Sequence, residues 1–234
     1  MNKEKAIVVI QAWYRGWYYR SRNLPNALRY TKFLIDKSEQ FSCFTKHDDG
    51  RVNSSMDETN LLNILHTLPE IKDRIKDTEK RGWSDVLIRD FRYGWLPVNI
   101  KSTMTTTADN IGNLTTCVYA LTNYDMNLET KYNNGKMSMV LVDAIENRQL
   151  NERLKRDYYF LVINKKNLDV IINSLRGVEE MTCNNYNLPF QIKWCKNRNF
   201  VYRPIKESVD MVMDTIKRGP ELWVESFLRK IRNL

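Results

Sequence analysis

The chain has 234 residues, 42% hydrophobic and 11% aromatic, which is enough to bury a core and excludes a disordered chain. Its 37 basic against 28 acidic residues leave a net charge of +9, favouring a polyanionic partner, nucleic acid before membrane. Cys43, Cys117, Cys183 and Cys195 form no C-x-x-C pair and only His47 and His66 accompany them, which argues against zinc and for free thiols in a reducing compartment.

In chain order, residues 5–23 have the spacing of a basic, aromatic helix, with Val9, Trp13 and Trp17 on one face. Three roles are open for it. The aromatic face can pack on the body, or Arg15, Arg20 and Arg22 can contact DNA phosphates. Third, Ile10, Gln11, Arg15, Gly16 and Arg20 resemble an IQ motif, which implies a calmodulin-like partner. Asn23-Leu24-Pro25-Asn26 ends this helix, and a second follows with Leu28, Phe33 and Leu34 apolar. His47-Asp48-Asp49-Gly50 reads as a polar loop. Ser55-Met56-Asp57-Glu58 fits a capping box that opens a third helix, Ser55 with Glu58. Leu61, Leu62 and Leu65 continue from Glu58 as an inward-facing stripe.

Ser84 to Lys101 reads as two short strands around a turn. Val86 and Ile88 alternate with Asp85, Leu87 and Arg89, and Leu96, Val98 and Ile100 alternate with Asn99 and Lys101. Arg92-Tyr93-Gly94-Trp95 supplies the turn, with Gly94 free to take positive φ. The period of two puts Asn99 and Lys101 on one face, and strand pairing brings Asp85 beside them. A carboxylate, a second oxygen ligand and a lysine at strand ends suit metal-assisted phosphodiester hydrolysis. Hard Mg²⁺ takes carboxylates, water and phosphate oxygens, while the lysine holds phosphate or positions a water.

Ser102 to Asn110 is a run of small hydroxyls and amides able to contact phosphates and base edges. Residues 109–123 are expected as a helix capped by Asp109, with Ile111, Leu114, Val118 and Leu121 as its stripe. Lys131 to Gly135 is a turn, Met137 to Ile145 and Tyr158 to Ile163 are candidate core strands, and Asn167 to Leu175 reads as a crossover helix. The Asn184 to Gln191 loop leads into Ile192-Lys193-Trp194 and is a second candidate for base readout, since Asn and Gln can pair bidentately with adenine. Helices Lys206 to Lys217 and Glu221 to Arg232 finish the chain.

Ser84-Asp85 with Asn99-Ile100-Lys101 resembles the PD-(D/E)xK nuclease superfamily and, within it, the type II restriction endonucleases. The chain departs at Asn99, where the family usually has Asp or Glu. Two origins for Asn99 stay open: a native residue offset by a nearby carboxylate, or a substitution that traps an uncut complex. The resemblance implies an α/β fold, a restriction-endonuclease-like central mixed sheet flanked by helices. One domain over 1–234 is expected, with an N-terminal helical region (1–50), a catalytic core (51–205) and C-terminal helices (206–234). It further implies a Mg²⁺-dependent, sequence-specific nuclease, with Glu58, Asp85, Asn99 and the Ile100 carbonyl on the metal and Lys101 on the scissile phosphate or attacking water. Glu70 is the substitute for Glu58. Double-stranded DNA is the implied substrate and a homodimer the implied assembly. The expected DNA contacts are Arg15, Arg20, Ser102, Thr103, Thr105, Thr106, Asp109, Asn110, Asn187, Gln191 and Lys193. Two rivals are a non-catalytic DNA-binding protein and an interaction module that binds a calmodulin-like partner through the IQ-like helix. With no signal-peptide pattern and no apolar run long enough for a bilayer, a cytoplasmic location without membrane contact is expected, and the sequons at Asn53 and Asn113 stay unused.

Overall fold

The computed structural model describes residues 11, 23–38, 50–79, 82–111, 114–153, 156–184 and 190–219. In chain order its main elements are α1 (Asn26–Lys37), α2 (Gly50–Thr67), β1 (Ile75–Asp77), β2 (Val86–Asp90), β3 (Gly94–Thr103) and β4 (Ala108–Asn110). Then come α3 (Leu114–Leu121), α4 (Asn134–Glu146), β5 (Tyr159–Asn164), β6 (Val170–Ser174), β7 (Thr182–Cys183), β8 (Phe190–Lys193) and α5 (Ile205–Lys217). Most of the IQ-like stretch, the His47-Asp48-Asp49 run and the expected Glu221 to Arg232 helix lie outside the described residues.

Five strands form a mixed sheet in the order β1-β2-β3-β5-β6. Its neighbours run antiparallel except β3 and β5, which are parallel. This is the α/β architecture expected from the sequence, a central mixed sheet with helices on both faces. On one face Val98, Ile100, Leu161 and Ile163 pack with Leu28 and Ile35 of α1 and Leu61 and Leu65 of α2. On the other, Tyr158, Phe160 and Val162 meet apolar residues of α3, α4 and α5 together with Trp194. Burial on both sides explains the unbroken apolar run of β5. Each such fully buried aliphatic side chain contributes about 1.5–3 kcal/mol.

The expected hairpin forms as read. Asp90 pairs with Gly94, whose φ is 73°, and the Asp90 carboxylate accepts the backbone N–H groups of Arg92 (2.8 Å) and Tyr93 (3.2 Å). Its second oxygen accepts Ala27 N–H at 3.0 Å, which ties the turn to the start of α1.

A smaller antiparallel sheet, β4-β8-β7, stands beside the main one. Phe190 and Ile192 point inward and are buried, whereas Asn110, Thr182 and Lys193 are exposed and Gln191 is half-buried.

Four elements differ from the sequence expectation. The third helix begins at Gly50, so Ser55 and Glu58 lie inside it and make no capping box. Residues 108–110 form a strand because β8 offers them a partner, so Asp109 is no helix cap, and the helix is described over Leu114–Leu121. Met137 to Ile145 is helical: Met137, Leu141 and Ala144 form a buried stripe, and the Asn133 side chain caps the start by accepting Gly135 N–H at 2.8 Å. Asn167 to Leu175 contains β6, antiparallel to β5, and its Val170-Ile171-Ile172 run is buried on both faces. Among the described residues no helix is long and apolar enough to cross a membrane.

Candidate active site

Strand β3 pairs with β2 as far as Val98 and then carries Asn99, Ile100 and Lys101 past the start of β2, paired with β5 alone. Asp85, just before β2, is held by that strand at two points. Its N–H donates to the Val98 carbonyl at 3.0 Å, and its Oδ2 accepts the Ile100 N–H at 2.7 Å. The approach to Asp85 is anchored too: the Tyr158 hydroxyl donates to the Trp83 carbonyl at 2.6 Å, and the two rings stack 5.8 Å apart.

Glu58 reaches in from α2, one turn before Leu61 and Leu62, and its Oε1 lies 3.9 Å from Lys101 Nζ. Burial pushes the Glu58 carboxyl up to about 7; Lys101 opposes the rise and the Asp85 charge adds to it. The Asp85 carboxyl is also raised, first by the protein packed around it, with Lys101 and the Ile100 N–H opposing. Since Asp85 keeps an exposed surface in the cleft, solvent moderates that rise.

Glu58 borders two cavities. One, of about 370 Å³, is also lined by Ser84, Asp85, Ile100 and Asp77. The other, of about 290 Å³, is lined by Lys101, Ser102, Asp109 and Asn110. Asp109 thus joins the site from β4. Its Oδ1 accepts the Thr103 hydroxyl at 3.2 Å, and burial raises its carboxyl while Thr103 and Lys101 oppose. Glu70 lines a different depression with Tyr30, Phe33 and Pro69 and takes no part here.

Asn99 sits on the Lys101 side of β3, and among the described residues its Oδ1 is buried without a hydrogen-bond partner. An unsatisfied buried amide oxygen, two carboxylates of raised pKa and the backbone of Ile100 make a hard-oxygen donor set of the kind a divalent cation takes. No three His, Cys, Asp or Glu side chains gather around one point among the described residues, so such an ion would depend on the neutral oxygens for part of its shell.

Sequence reasoning missed the brace behind the site. Lys165, just past β5, places Nζ 3.1 Å from Asp57 Oδ2 and 3.2 Å from Ser54 Oγ. Ser102 Oγ donates to the same Asp57 oxygen at 3.2 Å, and Ser54 Oγ donates to the Ser102 carbonyl at 3.2 Å. Asp57 is buried one residue before Glu58, so this network fixes α2 against β3 where Lys101 emerges. The only signal in the sequence is the acidic pair Asp57-Glu58.

The expected DNA contacts divide. Ser102, Thr103 and Thr105 are buried; the Ser102 and Thr103 hydroxyls donate to Asp57 and Asp109, and Ser102 also lines the smaller cavity. Thr106, Asn110 and Lys193 are exposed and Gln191 is half-buried. Arg15, Arg20 and Asn187 lie outside the described residues. Compared with known proteins, the chain matches no family model and no curated protein.

Proposed function

We propose that the chain is a Mg²⁺-dependent endonuclease of double-stranded DNA, working as type II restriction enzymes do. The observation that carries this is the meeting of Glu58 and Asp85 at Lys101 on one strand, beside an open cavity. Lys101 is the cation beside these two carboxylates, yet burial still raises both, so the site favours further positive charge. Glu58, Asp85, the Asn99 amide oxygen and the Ile100 carbonyl would hold the ion. Bound there, Mg²⁺ supplies Lewis-acid polarisation of the phosphate and offsets its charge. Lys101 would hold a non-bridging phosphate oxygen or position the attacking water, and Glu58 and Asp85 would serve as the anionic ligands. The basic net charge draws the polyanion in, a homodimer matches a two-fold DNA site, and the cytoplasm is the place of action.

Digestion of mixed-sequence plasmid DNA with Mg²⁺ tests this, with discrete fragments expected. Intact plasmid at every metal and protein concentration would leave the second reading, a non-catalytic DNA-binding protein, which the neutral Asn99 favours. That protein binds DNA with no response to divalent metal.

A further inference from the structure

The small sheet has two unlike faces, and the outward one is built of amides. Asn110 of β4 and Gln191 of β8 are direct cross-strand partners, so their side chains stand on the same face. Asn110 Oδ1 accepts two hydrogen bonds, from Asn184 Nδ2 at 2.7 Å and Gln191 Nε2 at 3.1 Å. That arrangement sets the polarity of what is presented outward. With its oxygen occupied twice, Asn110 turns its Nδ2–H donors away from the pair. Gln191, having given one N–H to Asn110, presents its Oε1 acceptor. A donor and an acceptor side by side match one base edge: adenine in the major groove, where N7 accepts and N6 donates.

Position and shape agree. Asn110 lines the cavity that also holds Glu58 and Lys101, so this amide borders the proposed cutting site. An antiparallel two-stranded ribbon is one of the elements the major groove, about 12 Å wide, admits. The β4–β8 pair is antiparallel, widened at the far edge of β8 only by the two-residue β7, and exposed Lys193 lies farther along the same face.

We propose that the outward face of this ribbon enters the major groove and that Asn110 and Gln191 together read one adenine. Asn110 donates to N7, and Gln191 accepts from the N6 amino group. Asn184 is a positioning residue: its bond to Asn110 holds the reading amide in orientation. The inference rests on the DNA reading above and adds to it the base and the residues that choose it.

The test measures binding in EDTA, so that it is separate from cleavage. Duplexes enriched from a randomised pool by the wild-type protein should share an adenine at one position of each half-site. Replacing that adenine should weaken wild-type binding about 10- to 100-fold, and this ratio should collapse in Asn110→Ala and Gln191→Ala and shrink in Asn184→Ala. The 7-deaza analogue, which lacks the N7 acceptor, should weaken the wild type and leave Asn110→Ala indifferent. Circular dichroism and urea unfolding confirm that each variant is folded. A base preference unchanged in Asn110→Ala and Gln191→Ala overturns the inference, as does a shared sequence without adenine. A selective binder that never cuts DNA fails the nuclease reading alone, and a protein with no DNA affinity overturns both.

Discussion

The Asp85 carboxylate accepts the backbone N–H of Ile100 at 2.7 Å, so the strand that delivers Lys101 also fixes the acid beside it. Asp85→Asn keeps an acceptor for that N–H and removes the charge. Native-like urea unfolding is expected, with cleavage slowed about 10²–10⁴-fold. Lys101→Ala should lose cleavage while still binding DNA. Wild-type cutting by either variant would place the active site elsewhere.

Glu58 gives stability a pH dependence whose sign can be worked out. Its carboxyl rises from an ordinary 4.5 to about 7 on folding, so between those values the folded state binds more protons than the unfolded. Stability therefore falls as pH climbs through that window, by about 3 kcal/mol in all. Urea unfolding of Glu58→Gln should show a gain over wild type of up to about that size at pH 8. Near pH 4 the gain should vanish. An equal gain at both pH values would mean that the amide merely packs better.

For Asn99→Asp, metal and stability are read together. The Tyr158 ring lies near both Asp85 and Asn99, so the new carboxylate joins a buried and already crowded site. In EDTA the variant should be less stable than wild type by about 1–3 kcal/mol, and Mg²⁺ should restore it. If Mg²⁺ protects the variant no more than the wild type, position 99 is not at the metal. Cleavage separates the two origins: a gain of orders of magnitude marks a site that lacked a carboxylate, and no gain marks one already compensated, for which Asp109, lining the cavity with Glu58 and Lys101, is a candidate.

Breaking the Asp57–Lys165 pair should hurt more than its single contact suggests. The Asp57 side chain is 2% exposed, so Lys165→Met removes the cationic partner of a buried anion that also accepts the Ser102 hydroxyl. A loss of about 3 kcal/mol is expected, and adding Asp57→Asn should recover most of it. A cost below about 1 kcal/mol would show that water screens the pair.

What the sequence disclosed was whatever depends on neighbours along one strand. Alternation and Gly94 revealed the β2–β3 hairpin, and with it the shared face of Asn99 and Lys101 and the closeness of Asp85. Elements set by distant partners were misread. Around β6, Ile171, Ile172 and Leu175 imitate helical spacing, and the partner β5 makes Val170–Ser174 a strand. Asp109 looks like a cap until β8 claims it. The Lys165 brace joins residues 111 positions apart through Ser54, beyond the reach of any local pattern.

Separation along the chain also orders when the parts come into being. Asp85 and Ile100 are 15 positions apart, and Asp57 and Ser102 are 45, whereas Asn110 meets Asn184 and Gln191 across 74 and 81. Contacts between near neighbours close first, and a growing chain makes its N-terminal side first. Every proposed cutting group thus leaves the ribosome before β7 and β8 exist. On the proposed reading, the cutting groups come into being before the reading face, and selectivity would be the last property acquired.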